Sequence, residues 1–166
     1  CGTLIKTERL FKKKFLMIKE AEQMRRKQKR LPRGAGILLP IFALPSPYGI
    51  GTFGKDAYQF VDFLSSSDVS YWQVLPMGPT SYGDSPYQSF SAFAGNPYFI
   101  DLDLLIEEGL LTSEEVCLDW GDDPSRVDYA KLYKNRFQVL KKAFSRSHYF
   151  SASRYHDFCR ENPWLD

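Results

Sequence analysis

The sequence predicts an α/β protein built on parallel strands. Residues 36–44, GILLPIFAL, and 71–77, YWQVLPM, are short, nearly continuous apolar runs, the pattern of strands buried on both faces. Between them Ala57, Phe60, Val61 and Leu64 recur at i, i+3, i+4 and i+7, the apolar stripe of an amphipathic helix. Strand, helix and strand in this order make a βαβ unit, with parallel strands and a right-handed crossover.

Each element has its own reason. Pro40 has no N–H for a ladder, so it belongs at a bend or at the end of the first strand. PSPYGIGTFG, 45–54, reads as a turn-rich loop; its glycines lack phosphate-binding spacing and a Lys-Ser/Thr ending. After the second strand, positions 80–100 carry six rings (Tyr82, Tyr87, Phe90, Phe93, Tyr98 and Phe99), four serines and a single carboxylate, Asp84. Such rings are either core anchors or a surface for something flat and hydroxylated. Loops that leave the carboxyl ends of parallel strands carry binding and catalytic groups, which favours the second reading. Asp84, between Gly83 and Ser85, suits an Asx-type turn as well as ligand contact.

Further along, Thr112-Ser113-Glu114-Glu115 is a capping box opening a short helix. Asp128 is placed to cap the next helix, where Tyr129, Tyr133, Phe137, Leu140 and Phe144 share a face, read as core or as a docking face. Residues 153–162 form one more short helix, ended by Pro163. His148 and His156 have no partner motif and read as structural or exposed.

The chain of 166 residues is long enough for one ordinary domain, and 43% hydrophobic residues support a globular core. Its net charge of +2 hides an asymmetry: residues 1–33 hold twelve Lys or Arg against three Glu, the rest ten against seventeen acids. The basic residues lack the interleaved aromatics of a nucleic-acid module, so 1–33 is read as a disordered or helical arm, with no nucleic-acid partner. Cys1, Cys117 and Cys159 are odd in number and far apart, which argues against a disulfide framework or zinc site and for a reducing, cytoplasmic compartment. No stretch approaches a membrane span, and Phe15-Leu16-Met17-Ile18 is too short for a signal core. Cys1 at the start and ENPWLD at the end read as cut ends. The residues by themselves show a binding loop and no catalysis.

Three segments go further. GILLPIFALPSPYGIGTFG, YWQVLPMGPTSYGDSPYQSFSAFAGNPYFIDLDLL and ENPWLD resemble the amino-terminal part of the 4-α-glucanotransferases, the amylomaltase or disproportionating-enzyme family. The resemblance covers residues 34–166 and leaves out 1–30. It implies the amino-terminal part of a (β/α)8 barrel, incomplete here, with a helical insertion after the second strand. It implies a cofactor-free retaining enzyme that moves α-1,4-glucan segments between malto-oligosaccharides or to glucose. The family's nucleophile and acid/base belong to later strands, beyond Asp166, so no catalytic residue is carried over. By the same resemblance Tyr87 packs against the sugar whose bond is broken. Ser85 and Asp84 offer polar contacts nearby, and Tyr82 is a platform for a remoter part of the glucan. Phe90, Phe93 and Phe99 are expected to anchor the loop from beneath. The other readings are a standalone glucan-binding α/β protein without catalysis and a basic-tailed interaction protein.

Overall fold

Gly36 opens the first strand where a Cβ would come within 3.1 Å of Tyr71 Cβ. In the computed structural model, which describes residues 32–148 and 152–165, β1 (Gly36–Leu38) and β2 (Tyr71–Gln73) pair in parallel. Ile37 lies opposite Trp72 and Leu38 opposite Gln73. The basic arm expected over 1–33 lies outside the described residues but for Pro32 and Arg33.

Both strands are shorter than the apolar runs. Leu39 N–H still donates to Gln73 O at 3.0 Å. Pro40, with φ −64° and no N–H to give, then turns the chain into a 3₁₀ turn, Ile41–Ala43. The burial expected on both strand faces is not found: Ile37 and Leu38 are exposed. Among the described residues the sheet has only these two strands, and helix α1 (Lys55–Ser66) meets it through Phe60, whose ring is edge-on to Trp72 at 4.9 Å. Ala57 and Leu64 are buried on α1 as expected, whereas Val61 is exposed.

The core lies under the loops rather than on the sheet. Ile41, Leu44 and Ile50 from the segment after β1 pack with Leu102, Leu132 and Val139 from the helices that follow β2. These are α2 (Leu102–Glu107), α3 (Ser113–Val116), α4 (Tyr129–Arg146) and α5 (Ser153–Glu161). Asp101 caps α2, accepting from Leu104 N–H at 3.0 Å, and Asp128 caps α4, accepting from Lys131 N–H at 3.1 Å. The face of α4 corrects one of the two sequence expectations, that the aromatic stripe is core. Its buried positions are Leu132, Arg136, Val139 and Ala143, while Tyr133, Phe137 and Phe144 stand on the exposed flank. Of the two readings of the aromatic stripe, core or docking face, packing excludes the first for these three rings: the core uses the neighbouring face, one position back, which includes a charge. His148 and His156 are exposed, and Cys117 and Cys159 are free thiols. No helix among the described residues is long and apolar enough to cross a membrane.

The capping box of α3 is present, with Thr112 N–H donating to Glu115 Oε2 at 3.1 Å. Glu115 also receives both terminal nitrogens of Arg146, at 2.6 and 2.7 Å, which ties α3 to the end of α4. The Arg146 hydrogen bonds, followed by the Thr112 N–H, hold the Glu115 carboxyl down from 4.5 to about 2. A depressed folded-state pKa gives stability that is present above 4.5 and lost as the pH falls toward 2. Glu115→Gln is therefore expected to flatten the acid limb of a pH–stability profile in that window. An unchanged profile would show that the pair contributes nothing.

Candidate functional site

The segment that leaves the carboxyl end of β2 is a closed loop. Asn96 N–H donates to Met77 O at 2.8 Å and joins its two ends; above them Thr80 and Ser89 form one antiparallel bridge. Gly78 lets the two limbs approach closely: a Cβ there would lie 2.4 Å from Ser89 Oγ and 3.1 Å from Ser91 O. At the tip Gly83 has φ +90° and Asp84 φ +52°, the left-handed region that Gly and Asp tolerate best. Asp84 is held there by its N–H donating to Ser81 O at 3.0 Å, while Thr80 Oγ1 donates to its Oδ1 at 3.2 Å. Ser85 Oγ accepts from Tyr87 N–H at 3.3 Å.

This frame displays rings instead of burying them. Tyr82 is fully exposed and Tyr87 is 71% exposed, while Asp84 and Ser85 are half-buried between them. Packing therefore does not account for either tyrosine. The expectation for the phenylalanines holds only for Phe99, which is buried and edge-on to Phe53 at 5.9 Å. Phe90 and Phe93 are exposed, and Phe93 stacks on Trp164 at 5.8 Å. Serine hydrogen bonds do the anchoring instead: Ser89 Oγ donates to Ser91 O at 2.7 Å, and Ser91 Oγ accepts from Ala94 N–H at 3.0 Å.

The loop is also bonded to the one that leaves β1. Phe53 N–H donates to Phe99 O at 3.0 Å, and Thr52 Oγ1 donates to Asp101 Oδ2 at 2.5 Å. Gly54 leaves no room beside that carboxylate; a Cβ would fall 1.9 Å from Asp101 Oδ2. Tyr48 donates its hydroxyl to Asp103, and burial, followed by that bond, pushes its pKa above the usual range. The loops from both strand ends thus form one connected surface.

Sequence reasoning missed its third part. Tyr98, on the returning limb, lies 6.3 Å from the Tyr129 ring and 5.5 Å from the Phe137 ring, and Phe137 meets the exposed Tyr133 edge-on at 6.2 Å. The helical spacing of Tyr129, Tyr133 and Phe137 is the available signal; it marks a shared face, core or docking, and does not join that face to the loop. Burial and then the charge of Asp84 raise the pKa of both Tyr98 and Tyr129. Asp84→Asn keeps the turn and an acceptor for Thr80 but removes the charge. In that variant Tyr129 is expected to ionise at lower pH, read by NMR of labelled tyrosines. An unshifted titration would separate Asp84 from these rings.

No group of His, Cys, Asp or Glu among the described residues is arranged to hold a metal ion. What the surface offers is flat rings with hydroxyls and one carboxylate between them. That chemistry suits a ligand with an apolar face and a polar rim. The family model for 4-alpha-glucanotransferase, glycoside hydrolase family 77, matches residues 39–166, a span that includes the entire loop. The chain belongs to that family. A 4-alpha-glucanotransferase of Streptococcus pneumoniae is 55% identical over 139 residues, 81% of this chain and 27% of the relative. One from Thermus thermophilus is 54% identical over 114 residues, 69% of this chain and 22% of the relative. The chain thus spans about a quarter of the curated glucanotransferases it matches. Among solved structures, the amylomaltase from Streptococcus agalactiae in complex with acarbose superposes with a TM-score of 0.74 at 46% identity, covering 81% of this chain and 28% of that one. The α/β fold expected from the sequence is thereby supported by a related structure.

Proposed function

We propose that the protein carrying this sequence, at the length of its relatives, is a cytoplasmic, cofactor-free 4-alpha-glucanotransferase that moves α-1,4-glucan segments between malto-oligosaccharides or onto glucose. In this reading residues 34–166 are the amino-terminal part of a (β/α)8 catalytic domain, with α2–α5 as the helical insertion after β2. The observation that carries it is the loop after β2, whose exposed Tyr82 and Tyr87 flank half-buried Asp84 and Ser85 inside the stretch matched by the family.

Glucose presents an apolar C–H face ringed by hydroxyls. Tyr87 serves as a platform for the sugar at the cleaved bond, Ser85 and Asp84 bind hydroxyls at its rim, and Tyr82 holds a remoter part of the chain. Retaining transfer needs two carboxyl groups ~5–5.5 Å apart across the bond. One attacks the anomeric carbon while the other gives its proton to the departing chain's oxygen. The acceptor hydroxyl then displaces the first carboxylate and returns a proton to the second. Both groups are assigned to later strands of the barrel, beyond Asp166, so the loop's task is to position the donor.

The test is product analysis. The full-length protein with maltotriose is expected to release glucose together with maltotetraose and longer chains. Binding of maltotriose without any new product would favour a glucan-binding protein over an enzyme.

A further inference from the structure

Arg136 is completely buried in the core face of α4. Its Nη2 donates to Tyr98 O at 3.0 Å and also to Ile100 O, two carbonyls that bracket Phe99 on the limb returning from the aromatic loop. Nε and Nη1 meet no hydrogen-bond acceptor among the described residues, and the guanidinium carbon lies 5.8 Å from the centre of the Trp120 ring. Burial draws its pKa down to about 10. A buried cation with incomplete partners is a weak source of stability, and an apolar side chain of similar volume often replaces such a charge without loss. Its distinctive contribution is placement.

The bonds continue into the loop. Tyr98, whose carbonyl Arg136 holds, donates its N–H to Asn96 Oδ1 at 3.0 Å, and Asn96 N–H closes the loop on Met77 O at 2.8 Å. One side chain of α4 is thus connected to both ends of the segment that displays Tyr82 and Tyr87. We infer that Arg136 is a positioning residue: it clamps the returning limb to α4 and thereby sets where the loop presents its rings to the glucan. The link to glucan rests on the function proposed above; the clamp does not.

Amide hydrogen exchange over residues 81–96 and maltotriose kinetics separate the two parts, measured on the full-length wild type, Arg136→Met and Arg136→Lys. Arg136→Met is expected to speed exchange of the loop amides roughly tenfold while the amides of α1 keep their rates. Its KM is expected to rise about tenfold with kcat within about twofold of wild type, because the misplaced platform weakens binding of the donor. A merely structural loss would instead lower the folded fraction and the apparent kcat and leave KM alone. Arg136→Lys keeps a cation that reaches one carbonyl, and its KM is expected to rise only about threefold. Wild-type loop exchange in a folded Met variant overturns the clamp, and faster exchange with unchanged KM overturns its bearing on the glucan. Where the Met variant does not fold, the Lys variant decides: a raised KM supports the assignment and a wild-type KM overturns it. A wild type that makes no product from maltotriose refutes the glucanotransferase reading, and exchange alone then decides the clamp.

Discussion

Tyr87→Ala is expected to lower kcat/KM on maltotriose roughly ten- to a hundredfold in the full-length enzyme, as follows from about 1–3 kcal/mol for a well-placed aromatic contact that acts in the transition state. Tyr87 is mostly exposed, so truncation removes little core packing, and the melting temperature is expected to stay near that of the wild type. Tyr87→Phe keeps the flat ring and is expected to retain much of the activity. The contrast between ring and hydroxyl is the informative part. A stable Ala variant with near-normal kcat/KM would return Tyr87 to a surface tyrosine without a role.

The second large effect concerns the 166-residue chain expressed by itself. It is expected to show no transfer on maltotriose and no sharp thermal transition. Its sheet among the described residues is two strands of three residues, and an isolated two-stranded sheet is marginal in water. Ile37, Leu38 and Phe63 are exposed, and in the (β/α)8 reading proposed above such positions are covered only when all eight strands close. Uncovered strand edges also pair with other copies, so aggregation is the expected outcome. A soluble monomer with a cooperative transition would contradict this, as would measurable glucose release by pure protein.

Much of this was legible in the sequence where local chemistry decides the structure. Thr112 with Glu115, Asp128 before α4, and Pro40 after β1 act within a few residues of themselves, and each is found in the expected role. The loop was legible because Gly and Pro exclude regular structure while its rings still need a reason. What escaped was set by contacts far apart in sequence. Arg136 is accepted into the core because Tyr98 O and Ile100 O, almost forty residues earlier, face it, and no periodicity argument assigns a charge to a buried position. The same distant contacts decide between the core and docking readings of the aromatic stripe, and Tyr133 and Phe137 stand on the exposed flank. Phe90 and Phe93 resemble anchors by composition, but Ser89, Ser91 and Asn96 had already fixed the loop by hydrogen bonds.

The platform role of Tyr87 is most directly tested by a crystal structure of the full-length protein soaked with acarbose, the ligand seen in the Streptococcus agalactiae amylomaltase. The expected result is a sugar ring in van der Waals contact with the Tyr87 ring, roughly 4 Å away, with Asp84 or Ser85 within hydrogen-bond distance of its hydroxyls. Acarbose bound elsewhere, with Tyr82, Asp84, Ser85 and Tyr87 all untouched, would contradict the assignment of this loop to the glucan.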